Sequence, residues 1–223
     1  FRRVDADFAT SVVLRSAVRV PRAEPGAPLV VALHGWGMTD RSFERWLRPA
    51  VDAGGASWWI PRGVLPCEVR QRKIGYGWYV FDGDQAALRA SMDEARAYLA
   101  GLVGAARRAL RPSSVALLGF SQGAYLGSYV ALSRPDLFDA FVCCCGRPKA
   151  EFVDDLPAAR RVRVLVQTGR EDEAVSPDLI AKGVGPLRAA GLDVVEKSYA
   201  AGHKLTPEMA VDAAAFVRGG AGA

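Results

Sequence analysis

Gly119-Phe120-Ser121-Gln122-Gly123 lies between an apolar run, Val115 to Leu118, and a helix-like stretch that begins near Ala124. This order predicts a serine at a sharp turn from a buried strand into a helix, the pattern of a nucleophile elbow. Glycine at positions 119 and 123 lets the strand and the helix approach each other without a Cβ clash. The alternative is a pair of ordinary turn glycines, so a nucleophilic role for Ser121 requires a base, an acid and oxyanion donors elsewhere in the chain.

The supply of bases is small, because the chain has only two histidines, His34 and His203. In folds with a nucleophile elbow the histidine follows the serine along the chain, and only His203 does so. It comes just after a strand-like run, Leu192 to Tyr199, and the carboxyl ends of parallel strands are where such folds bind ligands. His203 is therefore the predicted base. His34 is interpreted as a residue that organises its loop, or equally as a structural core histidine.

The acid is expected before His203 and after a strand. The strand-like run that ends at Thr168 is followed by three consecutive carboxylates, Glu171, Asp172 and Glu173. Charge clusters on loops are usually solvated surface, so the position within the cluster matters. We favour Asp172, because its spacing from the strand end and from the next helix suits an acid tucked beneath the histidine, and Glu171 is the alternative. The carboxylate would fix the imidazole tautomer.

Oxyanion donors are expected from two backbone segments. The first is the N–H of Gln122, the residue after the predicted nucleophile, at the start of a helix. The second follows the strand-like run Leu29 to Leu33, where Gly35 and Gly37 bracket Trp36. These glycines allow the loop to curl, so that the Trp36 N–H faces the developing negative charge.

Five motifs in this chain resemble, in order, those of the carboxylesterase/phospholipase branch of the α/β-hydrolases. They are Leu33-His34-Gly35-Trp36-Gly37, Gly119-Phe120-Ser121-Gln122-Gly123, Cys145-Gly146-Arg147-Pro148, Gly169 with Asp172, and Gly202-His203. The resemblance implies a small serine esterase with a triad of Ser121, Asp172 and His203 and with Trp36 and Gln122 as oxyanion donors. Acyl-protein thioesterases and lysophospholipases belong to the same branch. The chain departs from the family pattern at Ala124, Thr168 and Cys143-Cys144-Cys145, which weakens the transfer of substrate preference.

Strand-like and helical segments alternate along the chain, which predicts an α/β class, with the α/β-hydrolase fold implied by the resemblance. We expect a mostly parallel central sheet with helices on both faces. With 223 residues, of which 50% are hydrophobic, we predict a single domain over 1–223, with a frayed tail at 219–223. The short interval from Gly146 to Arg161 argues against a large cap domain. The predicted strands cover 12–20, 29–33, 57–60, 115–119, 141–145, 162–168 and 192–199, and the predicted helices cover 41–53, 85–110, 124–133, 177–190 and 207–217.

The longest predicted irregular segment, 61–83, mixes aromatic with basic side chains. Trp78, Tyr79 and Phe81 are candidates for a substrate pocket or for contact with an anionic headgroup. Plain surface packing is an equal alternative.

Composition excludes several classes of function. The net charge is +5, but the basic residues are scattered and form no nucleic-acid motif, so nucleic-acid binding is not expected. Four cysteines, three of them consecutive, do not form a spaced disulfide framework, and the complete serine motif disfavours a catalytic cysteine. Two distant histidines without a Cys-x-x-Cys motif predict no metal site, and the expected chemistry needs no cofactor.

No signal peptide or transmembrane run is visible, so we expect a cytoplasmic protein without stable membrane insertion. The chain begins at Phe1 rather than methionine, which leaves a removed leader open.

The expected function is hydrolysis of carboxylic esters with small to medium acyl chains through an acyl-enzyme, on a small-molecule or lipid ester. Acyl-protein thioesterase and lysophospholipase activities share the whole triad and are alternatives, as is acyl transfer to an alcohol. A catalytically idle binding scaffold of the same fold is the alternative from a different class. The sequence does not determine the oligomeric state.

Overall fold

The computed structural model describes residues 18–219. The first part of the predicted strand 12–20 and most of the predicted tail 219–223 lie outside the described residues. Within them, the strands are β1 (Val18–Arg22), β2 (Leu29–Leu33), β3 (Ser57–Pro61), β4 (Leu65–Arg70), β5 (Lys73–Gly77), β6 (Val115–Phe120), β7 (Ala140–Cys144), β8 (Arg163–Gly169) and β9 (Val194–Tyr199). The α-helices are α1 (Asp40–Asp52), α2 (Gln85–Leu110), α3 (Gln122–Ser133), α4 (Pro177–Ala189) and α5 (Pro207–Val217).

The main sheet has seven strands in the order β1-β3-β2-β6-β7-β8-β9. All its neighbouring strands pair in parallel, except that β1 is antiparallel to β3. Every residue of β2, β6 and β7 is buried, as expected for central strands of a parallel sheet that is covered on both faces. The prediction of a mostly parallel α/β fold is confirmed.

The two faces of the sheet bury separate apolar cores. Along β2, Leu29, Val31 and Leu33 point into one core, whereas Val30 and Ala32 point into the other, because successive side chains of a strand alternate between faces. Helices α2, α3 and α4 cover the first face, and α1 and α5 cover the second. This arrangement confirms the predicted helices on both faces.

The prediction that 61–83 is irregular is wrong for the central part of the segment, because β4 and β5 form an antiparallel hairpin there. Its sequence lacks the apolar alternation of a half-buried strand: β4 is largely exposed, and β5 contains Gly75 and Gly77. Between Gly146 and Arg161 the chain forms only two short 3-10 helices, Ala150–Phe152 and Leu156–Arg161, in agreement with the absence of a large cap. Across residues 18–219, no helix combines the length and the apolar character needed to cross a membrane.

Candidate active site

Ser121 occupies the turn between β6 and α3 with φ 53° and ψ −120°, a left-handed conformation that is costly for a residue with a side chain. The surrounding glycines are required by close backbone contacts. A Cβ on Gly119 would lie 2.2 Å from the Gly123 carbonyl oxygen, and a Cβ on Gly123 would lie 2.4 Å from the Leu33 carbonyl oxygen. The strand, the helix and β2 therefore meet at the serine as the elbow pattern predicts.

The predicted triad residues lie in one line of hydrogen bonds. His203 Nε2 is 2.9 Å from Ser121 Oγ, and His203 Nδ1 is 2.9 Å from Asp172 Oδ2. The Asp172 side chain is only 1% exposed, whereas the neighbouring alternative, Glu171, is exposed. Of the three carboxylates in the cluster, Asp172 is the one that contacts His203.

Backbone donors fix the Asp172 carboxylate from its other side. The N–H groups of Ala174 and Val175 donate to Oδ1 at 2.9 and 3.0 Å. Asp172 thereby forms a turn with its own following residues, a local bond that short acidic side chains make readily. Oδ1 accepts these two donors, and both carboxylate oxygens face His203 Nδ1, at 3.0 Å for Oδ1 and 2.9 Å for Oδ2.

Main-chain hydrogen bonds hold the acid loop against the histidine loop. Arg170 N–H donates to the Tyr199 carbonyl at 2.8 Å, and Glu171 N–H donates to the Ala201 carbonyl at 3.0 Å. Gly169 has to be glycine at this approach, because a Cβ there would lie 2.2 Å from the Ala201 oxygen. The relative position of Asp172 and His203 is therefore set by the backbone.

His34 is a structural core histidine that also organises its loop. It is fully buried, its Nε2 accepts the Gly63 N–H at 2.9 Å, and its Nδ1 lies 2.8 Å from the Gly35 carbonyl. Because Nε2 is an acceptor, the proton is on Nδ1, which donates to Gly35. Burial lowers the pKa of His34 and favours this neutral form. His34 therefore does not compete with His203 for the role of base.

The predicted oxyanion segment lies beside the nucleophile. A Cβ on Gly35 would be 3.2 Å from Ser121 Cβ, so the backbone that leads into Trp36 passes close to the serine. The loop is paired with β5: Gly37 N–H donates to the Tyr76 carbonyl at 3.0 Å, and Tyr76 N–H donates to the Met38 carbonyl at 2.9 Å. The other predicted donor, Gln122, begins α3, where the first N–H groups have no intrahelical acceptor.

The Gln122 side chain has a role that the sequence did not indicate. Its Oε1 accepts the Trp78 N–H at 3.0 Å, and its Nε2 donates to the Tyr79 carbonyl at 2.9 Å. The Trp78 indole N–H also donates to the His34 carbonyl at 2.8 Å. The three residues predicted to line a substrate pocket do not do so together: Trp78 and Tyr79 are packed in the core, and only Phe81 is exposed.

A buried polar network supports the strands below the histidine loop. Gln167 Nε2 donates to Tyr199 Oη at 2.8 Å and to the Met209 carbonyl at 3.0 Å, and the Cys144 thiol donates to Gln167 Oε1 at 3.0 Å. Tyr199 Oη in turn donates to Asp212 at 2.7 Å. A glutamine directly after the apolar run Val164 to Val166 was the available signal, because a buried amide requires partners.

The Cys145 thiol donates to the Lys204 carbonyl at 3.4 Å, next to the histidine. Burial, and then the nearby Asp172 carboxylate, raise the pKa of this thiol to about 12. At neutral pH the sulfur is protonated, whereas nucleophilic cysteines need the thiolate.

A parallel sheet with a serine elbow, followed by an aspartate and a histidine after later strands, is the arrangement of the α/β-hydrolase class. The chain belongs to the phospholipase/carboxylesterase family, whose model matches residues 15–219. The resemblance found in the motifs is thereby confirmed.

Known proteins resemble this chain in sequence and in fold. A putative esterase, NocK, from Nocardia uniformis subsp. tsuyamanensis is 33% identical over an alignment of 171 residues, and the match covers 67% of this chain and 46% of that relative's length. A solved carboxylesterase from Mesorhizobium loti superposes with a TM-score of 0.71 at 22% identity, covering 86% of this chain and 88% of that one. Acyl-protein thioesterase 2 from Zea mays gives a TM-score of 0.70 at 22% identity, covering 92% and 98%. At these identities the two structures bear on the fold alone.

Proposed function

We propose that this chain is a carboxylesterase-type serine hydrolase that cleaves carboxylic esters of small to medium acyl chains. The observation that carries the proposal is the pair of 2.9 Å distances that join Ser121 Oγ to His203 Nε2 and His203 Nδ1 to Asp172 Oδ2. Hydrogen bonds of this length couple a nucleophile to its base and the base to its orienting acid. All three residues follow strands of one sheet, so we propose that a single domain carries the whole site.

In the proposed reaction, His203 Nε2 takes the proton of Ser121 as Oγ attacks the ester carbonyl carbon. The carbonyl oxygen becomes an oxyanion that accepts hydrogen bonds from the backbone N–H groups of Trp36 and Gln122. Asp172 stabilises the imidazolium that forms. The C–O bond to the leaving alcohol then breaks as His203 returns the proton to the alcohol oxygen, and the acyl group remains on Ser121.

The second half of the cycle uses the same groups on water. His203 removes a proton from a water molecule, and the hydroxide attacks the acyl carbon through a second oxyanion. Collapse of this intermediate releases the carboxylic acid, and the proton from His203 restores the Ser121 hydroxyl. Each proton that the histidine takes is returned within the same half-cycle, so the enzyme ends unchanged.

The test is hydrolysis of p-nitrophenyl esters from short to long acyl chains by the wild type, Ser121→Ala and Ser133→Ala. Ser133 ends the same helix and is the matched control. We expect a preferred chain length in the wild type, an unchanged profile in the control, and a loss of about 10⁴-fold or more in Ser121→Ala. Equal rates in all three proteins would overturn the proposal.

A covalent probe separates the mechanism from the choice of ester. A fluorophosphonate should label Ser121 stoichiometrically, and peptide mass spectrometry should locate the adduct there, because the probe mimics the tetrahedral intermediate. Failure to label, together with no hydrolysis of any ester, would favour the idle scaffold.

A further inference from the structure

Exposed apolar side chains gather at one edge of the molecule, beside the candidate nucleophile. Of the eight large apolar side chains that the described residues expose, five belong to the Trp36 loop, the β4–β5 hairpin and the segment that follows it. They are Trp36 (52%), Val69 (42%), Ile74 (50%), Val80 (57%) and Phe81 (55%). Single exposed apolar residues are normal on a protein surface, but a contiguous group marks an interaction surface.

Contacts join the Trp36 loop to the hairpin at Gly77 and Val69, whereas Ile74 lies on the opposite face of β5 from Gly75 and Gly77. The Trp36 ring lies over Gly77, where an added Cβ would be 2.3 Å from Cζ3, and Val69 Cγ1 would lie 2.8 Å from a Cβ on Gly37. The pairing of the loop with Tyr76 fastens the hairpin to the segment that passes Ser121. We call Trp36, Val69, Ile74, Val80 and Phe81 the apolar rim.

The tip of the same hairpin is basic. Arg70, Arg72 and Lys73 are all exposed at the turn, and Glu68 is the only carboxylate between Leu65 and Gly77, so the hairpin carries a net charge of +2. The Glu68 carboxylate accepts the Arg72 backbone N–H at 2.8 Å, which holds the turn and leaves the Arg72 guanidinium exposed.

Exposed apolar side chains and exposed cations thus occur together on the hairpin and on the segments beside it. Apolar and aromatic residues beside exposed cations suit the boundary of a lipid bilayer, where the apolar groups enter the headgroup region and the cations meet anionic lipids. A protein partner would explain this cluster less directly, because the core of a protein–protein interface is depleted of charged residues, whereas the tip combines three cations with exposed apolar side chains.

We propose that the β4–β5 hairpin and the apolar rim dock reversibly on an anionic lipid surface. Docking needs no catalysis. If the proposed function holds, docking brings the mouth of the Ser121 site to esters that reside in or on that surface. The electrostatic contribution to membrane binding should be strong. Each basic residue near an anionic leaflet raises the partition coefficient about fivefold, and three together raise it about 100-fold.

The experiment is co-sedimentation of the full chain with vesicles of phosphatidylcholine alone and of phosphatidylcholine containing one third phosphatidylserine. Ser121→Ala protein is used throughout, so that hydrolysis does not alter the vesicles. The hairpin variant carries R70Q, R72Q and K73Q. The matched control carries R41Q, R45Q and R108Q, three exposed arginines on α1 and α2 whose loss gives the same net charge.

We expect binding to the anionic vesicles only, weakened by added salt, reduced about 100-fold in the hairpin variant and unchanged in the control. Ile74→Ser should weaken binding about tenfold through lost apolar burial, whereas Val211→Ser, which removes a comparably exposed apolar side chain on α5, should not. Thermal unfolding of each variant separates lost binding from lost folding.

Three results would overturn the proposal: no binding to either vesicle, equal losses in the hairpin variant and its control, or a dimer in solution that Ile74→Ser abolishes. The last result would assign the apolar rim to a second copy of the chain. A second measurement keeps this test distinct from that of the proposed function. The three hairpin substitutions are placed in the chain with Ser121 intact, and its hydrolysis of p-nitrophenyl acetate should be unchanged, since the tip residues make no contact with the triad.

Discussion

Replacing Asp172 with asparagine probes the proposed triad at the group that sets the histidine tautomer. In the wild type, Oδ1 accepts the N–H groups of Ala174 and Val175, and both carboxylate oxygens lie within 3.0 Å of His203 Nδ1. An asparagine keeps these two backbone donors only if its carbonyl oxygen replaces Oδ1. The NH₂ group then takes the place of Oδ2, the oxygen nearer to His203 Nδ1.

That orientation reverses the tautomer of the His203 imidazole. An NH₂ group donates, so Nδ1 has to accept, and the proton moves to Nε2, which lies 2.9 Å from Ser121 Oγ. A protonated Nε2 cannot accept the serine proton. We therefore expect kcat to fall about 10⁴-fold, equivalent to about 5.4 kcal/mol of transition-state stabilisation, while KM changes little.

The assay is steady-state hydrolysis of the preferred p-nitrophenyl ester by the wild type, Asp172→Asn and Glu171→Gln. Glu171 is the adjacent exposed carboxylate and makes the matched control, for which we expect no more than a twofold change. A rate for Asp172→Asn within about tenfold of the wild type would refute the tautomer argument. A larger loss in Glu171→Gln than in Asp172→Asn would reassign the acid.

Three further outcomes follow from the described contacts. Gln122→Ala should lower the free energy of unfolding in urea by about 2 kcal/mol, because it removes both hydrogen bonds to the segment after β5; an unchanged midpoint would contradict this role. Gly119→Ala should lower the free energy of unfolding by more than about 3 kcal/mol, because its Cβ would meet the Gly123 oxygen at 2.2 Å. Its control, Gly101→Ala within α2, has open space and should raise the free energy of unfolding by about 0.5–1 kcal/mol. Burial lowers the pKa of His34 below 6.5, so the unfolded chain binds the proton first and stability should fall as the pH drops below 6.5, by up to about 1.4 kcal/mol per pH unit. Urea titrations at about pH 7.5 and about pH 5.5 should show this loss in the wild type and a smaller loss in His34→Gln.

The sequence was sufficient to predict the bounds of helices that are set by local capping residues. Helices α2 and α5 begin and end at the predicted residues, because Asp84 and Thr206 are N-caps and Arg111 adopts a left-handed conformation after α2. The hairpin was missed because its apolar residues do not alternate. Strand β5 pairs with Met38, and the Gln122 side chain binds the residues that follow β5; both partners lie far away in sequence.

By itself, the sequence predicted the α/β order of the chain, the elbow at Ser121 and, because one histidine alone follows it, His203 as the base. These are local features: glycine spacing, apolar runs and chain order. The sequence favoured Asp172 over Glu171 by spacing, but only the tertiary structure showed which carboxylate contacts His203, buried Trp78 and Tyr79 in the core, and gave His34 its buried tautomer. The physical reason is the same in each case, because burial and hydrogen-bond partners depend on distant segments that meet only when the sheet and its loops are assembled.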